Sequence, residues 1–168
     1  FWKLLGERNI FSTIQRVPIT FPPQPFKGLL LSGMCVPDLR GSQGTFSFFS
    51  TDTDGGAPKF TGGEQTVLRR KGNVIRSRVV GPDNSMVKGG LRMTLPFTLT
   101  VSDDEKSVTM EVEGCDPFTL EAETYSPWIQ LSFKPGLGIT VAGIARFYLM
   151  SISPHVNLYM TPIHIDPE

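Results

Sequence analysis

The fold of this chain is decided by one stretch of its sequence, LPFTLTVSDDEKSVTMEV, which covers residues 95–112. Two segments of alternating apolar and polar residues flank a polar run at residues 102–106. Because side chains alternate between the two faces of a strand, Val108, Met110 and Val112 share one face of the second segment. The stretch therefore predicts an antiparallel β-hairpin.

The same alternation begins at Thr45 and recurs toward the C-terminus, with Gly, Pro or Ser-Pro between the segments. This pattern predicts about nine to eleven strands and almost no helix after residue 10. Strands are expected on either side of a tight turn at 69–73, over 64–70 and 74–80, and further along the chain over 117–122, 129–133, 139–151 and 156–165. The predicted fold class is mainly β, an antiparallel β-sandwich with a small α/β flank at the N-terminus.

The first 44 residues have a different pattern. Apolar residues at the start predict a short helix within 1–9, and β-forming residues predict a strand within 11–20. The continuous apolar run 28–34 is bounded by glycine, which is typical of a strand buried on both faces of an α/β sheet. We therefore divide the chain into an α/β flank, 1–44, and a β-rich accessory domain, 45–168.

Composition narrows the class of protein. The 168 residues include 17 Gly and 14 Pro, a content that argues against a helical bundle. Sixteen basic residues balance sixteen acidic ones, so no global charge favours nucleic-acid binding. No apolar run approaches the roughly 20 residues that a membrane-spanning helix needs. The start of the chain has no signal-peptide pattern, and the composition is compatible with the cytoplasm or the periplasm.

Few residues have the spacing of a metal or catalytic site. His164 and Asp166 alternate along a predicted strand and share a face, but no third ligand is visible, and we favour a solvated edge. Asp52 and Asp54 resemble the start of a calcium loop that lacks its closing acid, and an ordinary polar loop is favoured. His155 follows a proline in a predicted turn and is expected to be exposed.

The remaining motifs are equally sparse. Cys35 and Cys115 have no CxxC spacing, so two separate thiols are favoured over one disulfide. No GxSxG, Walker A, GxGxxG or HExxH motif occurs. A complete small enzyme would therefore lack a mechanism.

The best candidate for a ligand site is the loop after the apolar run. Asp38 and Arg40 precede Gly41-Ser42-Gln43-Gly44. In open α/β sheets, ligands lie beyond the carboxyl ends of strands, where a guanidinium, a hydroxyl and glycine amides can converge on an anion. A purely structural turn between Asp38 and Arg40 is the alternative.

Several long strings resemble the middle of bacterial alkaline-phosphatase-superfamily proteins, in the phosphohydrolase/phosphomutase (type I phosphodiesterase/nucleotide pyrophosphatase-like) branch. They are FWKLL at 1–5, RVPITFPP at 16–23, LSGM at 31–34, VPDLRG at 36–41, GTF at 44–46, GIARFYL at 143–149 and LYMTPIHIDPE at 158–168. The sequence departs from the family at Cys35, where a small residue is expected, and at His164, where Asn is expected.

The resemblance implies a longer parent, a metal-dependent phosphoric ester hydrolase or phosphomutase. Such a parent binds two divalent metals, zinc or manganese, and uses a Thr or Ser nucleophile. None of the family's metal ligands or its nucleophile maps onto this chain, so no catalytic or metal-binding residue is expected here. The chain would be a β-rich insertion or cap domain beside a phosphate ester substrate, partnered by the remainder of the phosphatase-like core. Asp38 and Arg40 would be its substrate-side contacts, with Arg40 holding phosphate through both arms of its guanidinium.

The alternative is a free-standing carbohydrate- or protein-binding β-sandwich. In that interpretation exposed aromatic side chains stack on a ligand, and the candidates are Phe118, Tyr125, Trp128 and Tyr159. Aromatic residues of a sandwich are more often part of its core.

Overall fold

A computed structural model describes residues 1–15, 17, 20, 23–32, 37–53, 61–87 and 89–166. The described chain is mainly β with mostly antiparallel sheets, which confirms the predicted fold class. Its helix α1 spans Trp2–Glu7. The strands are β1 Ser12–Gln15, β2 Gly28–Leu31, β3 Phe46–Ser50, β4 Gly63–Val67, β5 Arg70–Lys71, β6 Val74–Asp83, β7 Arg92–Val101, β8 Ser107–Val112, β9 Phe118–Glu121, β10 Thr124–Tyr125, β11 Ile129–Gly136, β12 Ile139–Ala145, β13 Phe147–Ser151, β14 Asn157–Met160 and β15 His164–Ile165.

The first layer of the sandwich is an antiparallel sheet with the strand order β5-β6-β7-β8-β9. The predicted hairpin is confirmed as β7 and β8, in which Val101 pairs with Val108 and Leu99 with Met110. All four of these side chains are buried. Alternation along the hairpin therefore does place one face of the sheet against a core.

The second layer contains two sheets, β10-β13-β14-β3-β4 and β11-β12-β15. Arg146 alone separates β12 from β13, and on the neighbouring strands short segments, 126–128 and 161–163, separate β10 from β11 and β14 from β15. Each strand of the smaller sheet is thus joined to a strand of the larger sheet by a short segment. The two sheets are therefore neighbours in the same layer, and Arg146 lies at the break between them.

A continuous apolar core lies between the layers. Its largest fully buried side chains include Leu99, Met110 and Leu120 from the first layer and Phe133, Phe147, Leu149, Leu158 and Met160 from the second. Burial of such side chains contributes roughly 1.5–3 kcal/mol each, so this core is the main source of stability.

The predicted strand 64–70 is wrong in one respect, because the structure divides it. β4 pairs in parallel with β3, whereas β5 pairs with β6 in the other layer. Between them Leu68 is buried in the core, and its N–H donates to the carbonyl of Ser50 at 2.6 Å. The chain crosses from one layer to the other at this buried residue, which local alternation does not reveal.

The N-terminal flank contains α1 and a parallel pair, β1 with β2, in which Ser12 lies opposite Gly28. The predicted burial of the apolar run on both faces is wrong within β2, since Leu29 and Leu31 are 61% and 60% exposed. Residues 33 and 34 of that run lie outside the described residues. Within the described part of the chain, no helix has the length and hydropathy required to span a membrane.

Contact between the layers can be tested at Gly81 on β6. A Cβ atom added there would lie 2.2 Å from Cε1 of the buried Phe133 ring on β11. We expect Gly81→Ala to lower the free energy of unfolding by about 1–3 kcal/mol, because overpacking forces the ring to move. Urea titration measures this change. The control is the double variant Gly81→Ala/Phe133→Leu, which should lose less than the sum of the two single variants. An unchanged stability in Gly81→Ala would contradict the packing of β6 on β11.

Candidate functional site

The loop at the end of the N-terminal flank is closed by the buried carboxylate of Asp38. Its Oδ1 accepts hydrogen bonds from the backbone N–H groups of Arg40 at 3.0 Å and Ser42 at 2.8 Å. Its Oδ2 accepts one from the hydroxyl of Ser42. Short polar side chains commonly stabilise turns in this way. Both oxygens of Asp38 are therefore used to hold the loop.

The side chain of Arg40 leaves the same loop and enters an ion-pair network. Its Nη2 lies 2.5 Å from Oε1 of Glu64 on β4, and Nη1 of Arg92 on β7 lies 2.7 Å from the same oxygen. Glu64 therefore connects the loop to both layers of the sandwich. The Arg40 side chain is only 5% exposed, so this ion pair is screened by solvent less than a surface pair.

One donor of Arg40 has no partner among the residues that the structure describes. Its Nη1 group is buried, and it makes no hydrogen bond to any part of the chain that the structure describes. Buried polar groups usually have a partner, so this N–H group is suited to donate a hydrogen bond to an oxygen atom from outside the described residues.

The network also sets the ionisation of its central acid. Burial raises the pKa of the Glu64 carboxyl, but the hydrogen bonds and charges of Arg40 and Arg92 together outweigh burial. The pKa of Glu64 consequently lies below its ordinary value, and the carboxylate stays charged at neutral pH.

The two residues predicted to bind substrate thus lie in one loop but have different partners. Asp38 is bonded within the loop, which is the structural turn considered above, whereas Arg40 is paired with Glu64. Contact of either residue with a phosphate group stays a prediction. The partners Glu64 and Arg92 carried no signal in the sequence, because they lie 24 and 52 residues beyond Arg40.

The residues considered as metal ligands are dispersed. Asp166 accepts a hydrogen bond from Nε2 of Gln130, and the ring of His164 meets that of Trp128 at 5.8 Å between centroids. Burial lowers the pKa of His164, and the negative charge of Asp38 partly opposes that effect. No three His, Cys, Asp or Glu side chains of the described residues converge, so these residues do not fit the two divalent metals that the resemblance implies for a parent.

Three further candidates have simple environments. His155 is partly buried, and its carbonyl accepts a hydrogen bond from the hydroxyl of Ser151, so the expectation of an exposed residue is wrong. Asp52 donates its N–H to Ser50, and Asp54 lies outside the described residues. Cys115 is a free thiol whose pKa is raised by burial and by the charge of Asp116. The other cysteine of the chain, Cys35, lies outside the described residues.

The aromatic residues of the alternative hypothesis separate into two groups. Phe118 packs on the core, with its ring 6.0 Å from that of Phe147, and it takes no part in an exposed platform. Tyr125, Tyr148 and Tyr159 instead occupy paired positions on β10, β13 and β14. They share the outer face of the second layer, because the neighbours of Tyr148 along its strand belong to the core.

Arg146 is the centre of this outer face, and sequence reasoning did not select it. Its guanidinium carbon lies 4.9 Å from the ring centroid of Tyr125 and 5.8 Å from that of Trp128, within the range of cation–π contacts. Its Nε donates to the carbonyl of Ser126 at 2.8 Å. The sequence does set this residue apart, because Arg146 is the one charged residue within the apolar stretch 139–151.

Comparisons with protein-family models, with curated proteins and with solved structures found no match. The functional proposals below therefore rest on the geometry of the chain and on the sequence resemblance described above.

The ion-pair network gives a pH-dependent contribution to stability that can be measured. Because the pKa of Glu64 is lowered on folding, its contribution is present above the ordinary pKa of a Glu carboxyl and is lost as the pH falls through the folded value. At pH 7 we expect Glu64→Gln to cost about 1–3 kcal/mol, because it leaves the buried Arg40 charge without its partner. The difference from the unaltered protein should shrink toward pH 3.

Urea unfolding between pH 3 and pH 7 measures that difference. The matched control is Glu111→Gln on β8, an exposed residue for which we expect no comparable effect. A Glu64→Gln cost that does not change with pH would argue against the ion pair as its origin.

Proposed function

We propose that this chain is a non-catalytic, β-rich insertion or cap domain of a metal-dependent phosphohydrolase or phosphomutase. In this role it shapes access of a phosphate ester substrate, while residues outside the chain hold two divalent metals, zinc or manganese, and perform the chemistry. The class of enzyme is taken from the sequence resemblance described above, and the structural observation that supports a larger parent is the parallel pair β1 and β2 in the N-terminal flank.

A pair of parallel strands is not a self-sufficient sheet. Parallel sheets normally have both faces covered, and three or more strands are needed for independent stability. Among the described residues no other strand joins β1 or β2. Large apolar side chains of this flank are exposed, namely Phe1, Leu4, Ile10, Phe11, Leu29 and Leu31. These features support the assignment of residues 1–44 to a larger α/β core that supplies further strands and covering helices.

The loop at the end of this flank would then approach the substrate. The Nη1 group of Arg40 would donate to a phosphoryl oxygen, and Asp38 would keep the loop in position through its bonds to Ser42 and to the Arg40 backbone. Glu64 would fix the orientation of the guanidinium by occupying Nη2.

The first test compares this chain with the longer parent protein. We expect the parent to hydrolyse a phosphate monoester or a phosphate diester with added zinc or manganese, and the 168-residue chain to be inactive under the same conditions. Release of inorganic phosphate or of a chromogenic alcohol is the measurement. Hydrolysis by this chain alone would overturn the proposal.

The role of Arg40 has a matched control within its own network. In the parent, Arg40→Ala should lower kcat/KM by about tenfold or more if its guanidinium contacts phosphate. Arg92→Ala removes the other cation on Glu64, and because that side chain is half exposed we expect kcat/KM to stay unchanged. Equal losses in the two variants would mean that Arg40 acts through Glu64 and not on the substrate.

The second candidate function is a carbohydrate- or protein-binding β-sandwich. The arrangement that favours it is the outer face with Tyr125, Tyr148, Tyr159 and Trp128, since aromatic rings with polar tips are common in binding surfaces. A neutral oligosaccharide that changes the fluorescence of Trp128, together with a parent that lacks phosphatase activity, would favour this function over the first.

A further inference from the structure

Arg146 differs from the other arginines that are at least partly buried. Arg40 forms an ion pair with Glu64, and Arg70 forms one with Glu105, in which Nη2 lies 2.8 Å from Oε1. Arg146 forms no ion pair with any carboxylate of the described residues, and only its Nε is hydrogen-bonded. Its two Nη groups therefore have no partner in the part of the chain that the structure describes.

The position of this guanidinium is fixed by the chain around it. The backbone N–H of Arg146 donates to Oγ1 of Thr161 at 2.9 Å, and its carbonyl accepts from the N–H of Thr161 at 3.0 Å. On the opposite side, its Nε donates to Ser126. A side chain that is already ordered loses less entropy when it binds a ligand.

The aromatic rings beside Arg146 leave its Nη groups available for hydrogen bonds to a ligand. Tyr125 and Trp128 lie along the guanidinium at cation–π distances, and they are 49% and 42% exposed. The free Nη groups form a planar fork, which matches two oxygen atoms of a carboxylate or a phosphate. The exposed parts of the two rings offer an apolar surface beside that fork.

We propose that Arg146 is an oxyanion-binding site for a small ligand that carries a carboxylate or a phosphate on a ring. The guanidinium holds two oxygen atoms of the anion, and Tyr125 and Trp128 contact the ring. The site shares Tyr125 and Trp128 with the second candidate function, and it shares no residue with the Arg40 loop, so it does not depend on the first proposed function.

Tryptophan fluorescence can test this site because the sequence contains two tryptophans, Trp2 and Trp128. In the variant Trp2→Phe, Trp128 is the single reporter. We would titrate this variant with benzoate and phenyl phosphate, with acetate and inorganic phosphate as anions without a ring, and with benzyl alcohol as an uncharged ring. We expect saturable binding of benzoate or phenyl phosphate, and binding about tenfold weaker for the other probes.

Two further variants distinguish binding through the two Nη groups of Arg146 from a nonspecific attraction between the anion and positive charge. Arg146→Lys keeps the charge but loses the fork, and it should weaken binding of the preferred probe by about tenfold. Arg78→Lys is the matched control, because Arg78 is an exposed arginine on β6 in the other layer, and it should leave binding unchanged.

The outcomes are distinct. Saturation by benzoate alone identifies a carboxylate ligand, and saturation by phenyl phosphate alone identifies a phosphate ligand. Equal binding of benzyl alcohol, unchanged binding in Arg146→Lys, or no saturable change with any probe up to 20 mM, a concentration chosen for roughly millimolar sites, overturns the proposal. If Arg146→Lys does not fold, the indole N–H signal of Trp128 in the unaltered protein decides the question. It should shift with the charged ring probe and not with benzyl alcohol.

Discussion

The apolar contact between the two layers is the constraint on which the rest of this structure depends. Met110 and Leu99 of the first layer and Leu149 and Leu158 of the second are fully buried in one core. Because strand side chains alternate, an inward Leu149 requires its neighbour Tyr148 to point outward. The same requirement applies across the paired strands, so the tyrosines form a row on the outer face as a direct result of core formation.

The ion-pair network adds a second connection between the layers, of a different kind. Apolar contacts in the core have no preferred direction. The ion pairs of Glu64, in contrast, fix the orientation of two particular side chains, Arg92 on β7 and Arg40 in its loop. Removing one member of such a group is costly, since the buried Arg40 would lose its partner. The network therefore holds the loop against both layers in addition to contributing to the stability of the sandwich.

Local pattern predicted the elements whose partners are close in sequence, and failed where the partner is distant. The hairpin of β7 and β8 needs only a turn and two alternating segments, both visible in residues 95–112. The parallel pairing of β3 with β4 and the crossing at Leu68 depend on tertiary packing. Phe118 has the same aromatic character as Tyr125, but one joins the core and the other does not, which only the register of their strands decides.

The segment from Thr161 to His164 links the Arg40 loop and the Arg146 face. Thr161 is hydrogen-bonded to the backbone of Arg146, and the carbonyl of Ile163 accepts a hydrogen bond from the N–H of Leu39 in the loop at 2.6 Å. The ring of His164, next in the chain, contacts that of Trp128, and the negative charge of Asp38 partly opposes the lowering of the His164 pKa by burial. The hydrogen bonds of this segment therefore hold the loop and the outer face relative to one another, and one of them joins residues more than a hundred positions apart, Leu39 and Ile163. The local sequence around Arg40 predicts its chemistry, but the position of its loop also depends on the hydrogen bond between Leu39 and Ile163 in this later segment.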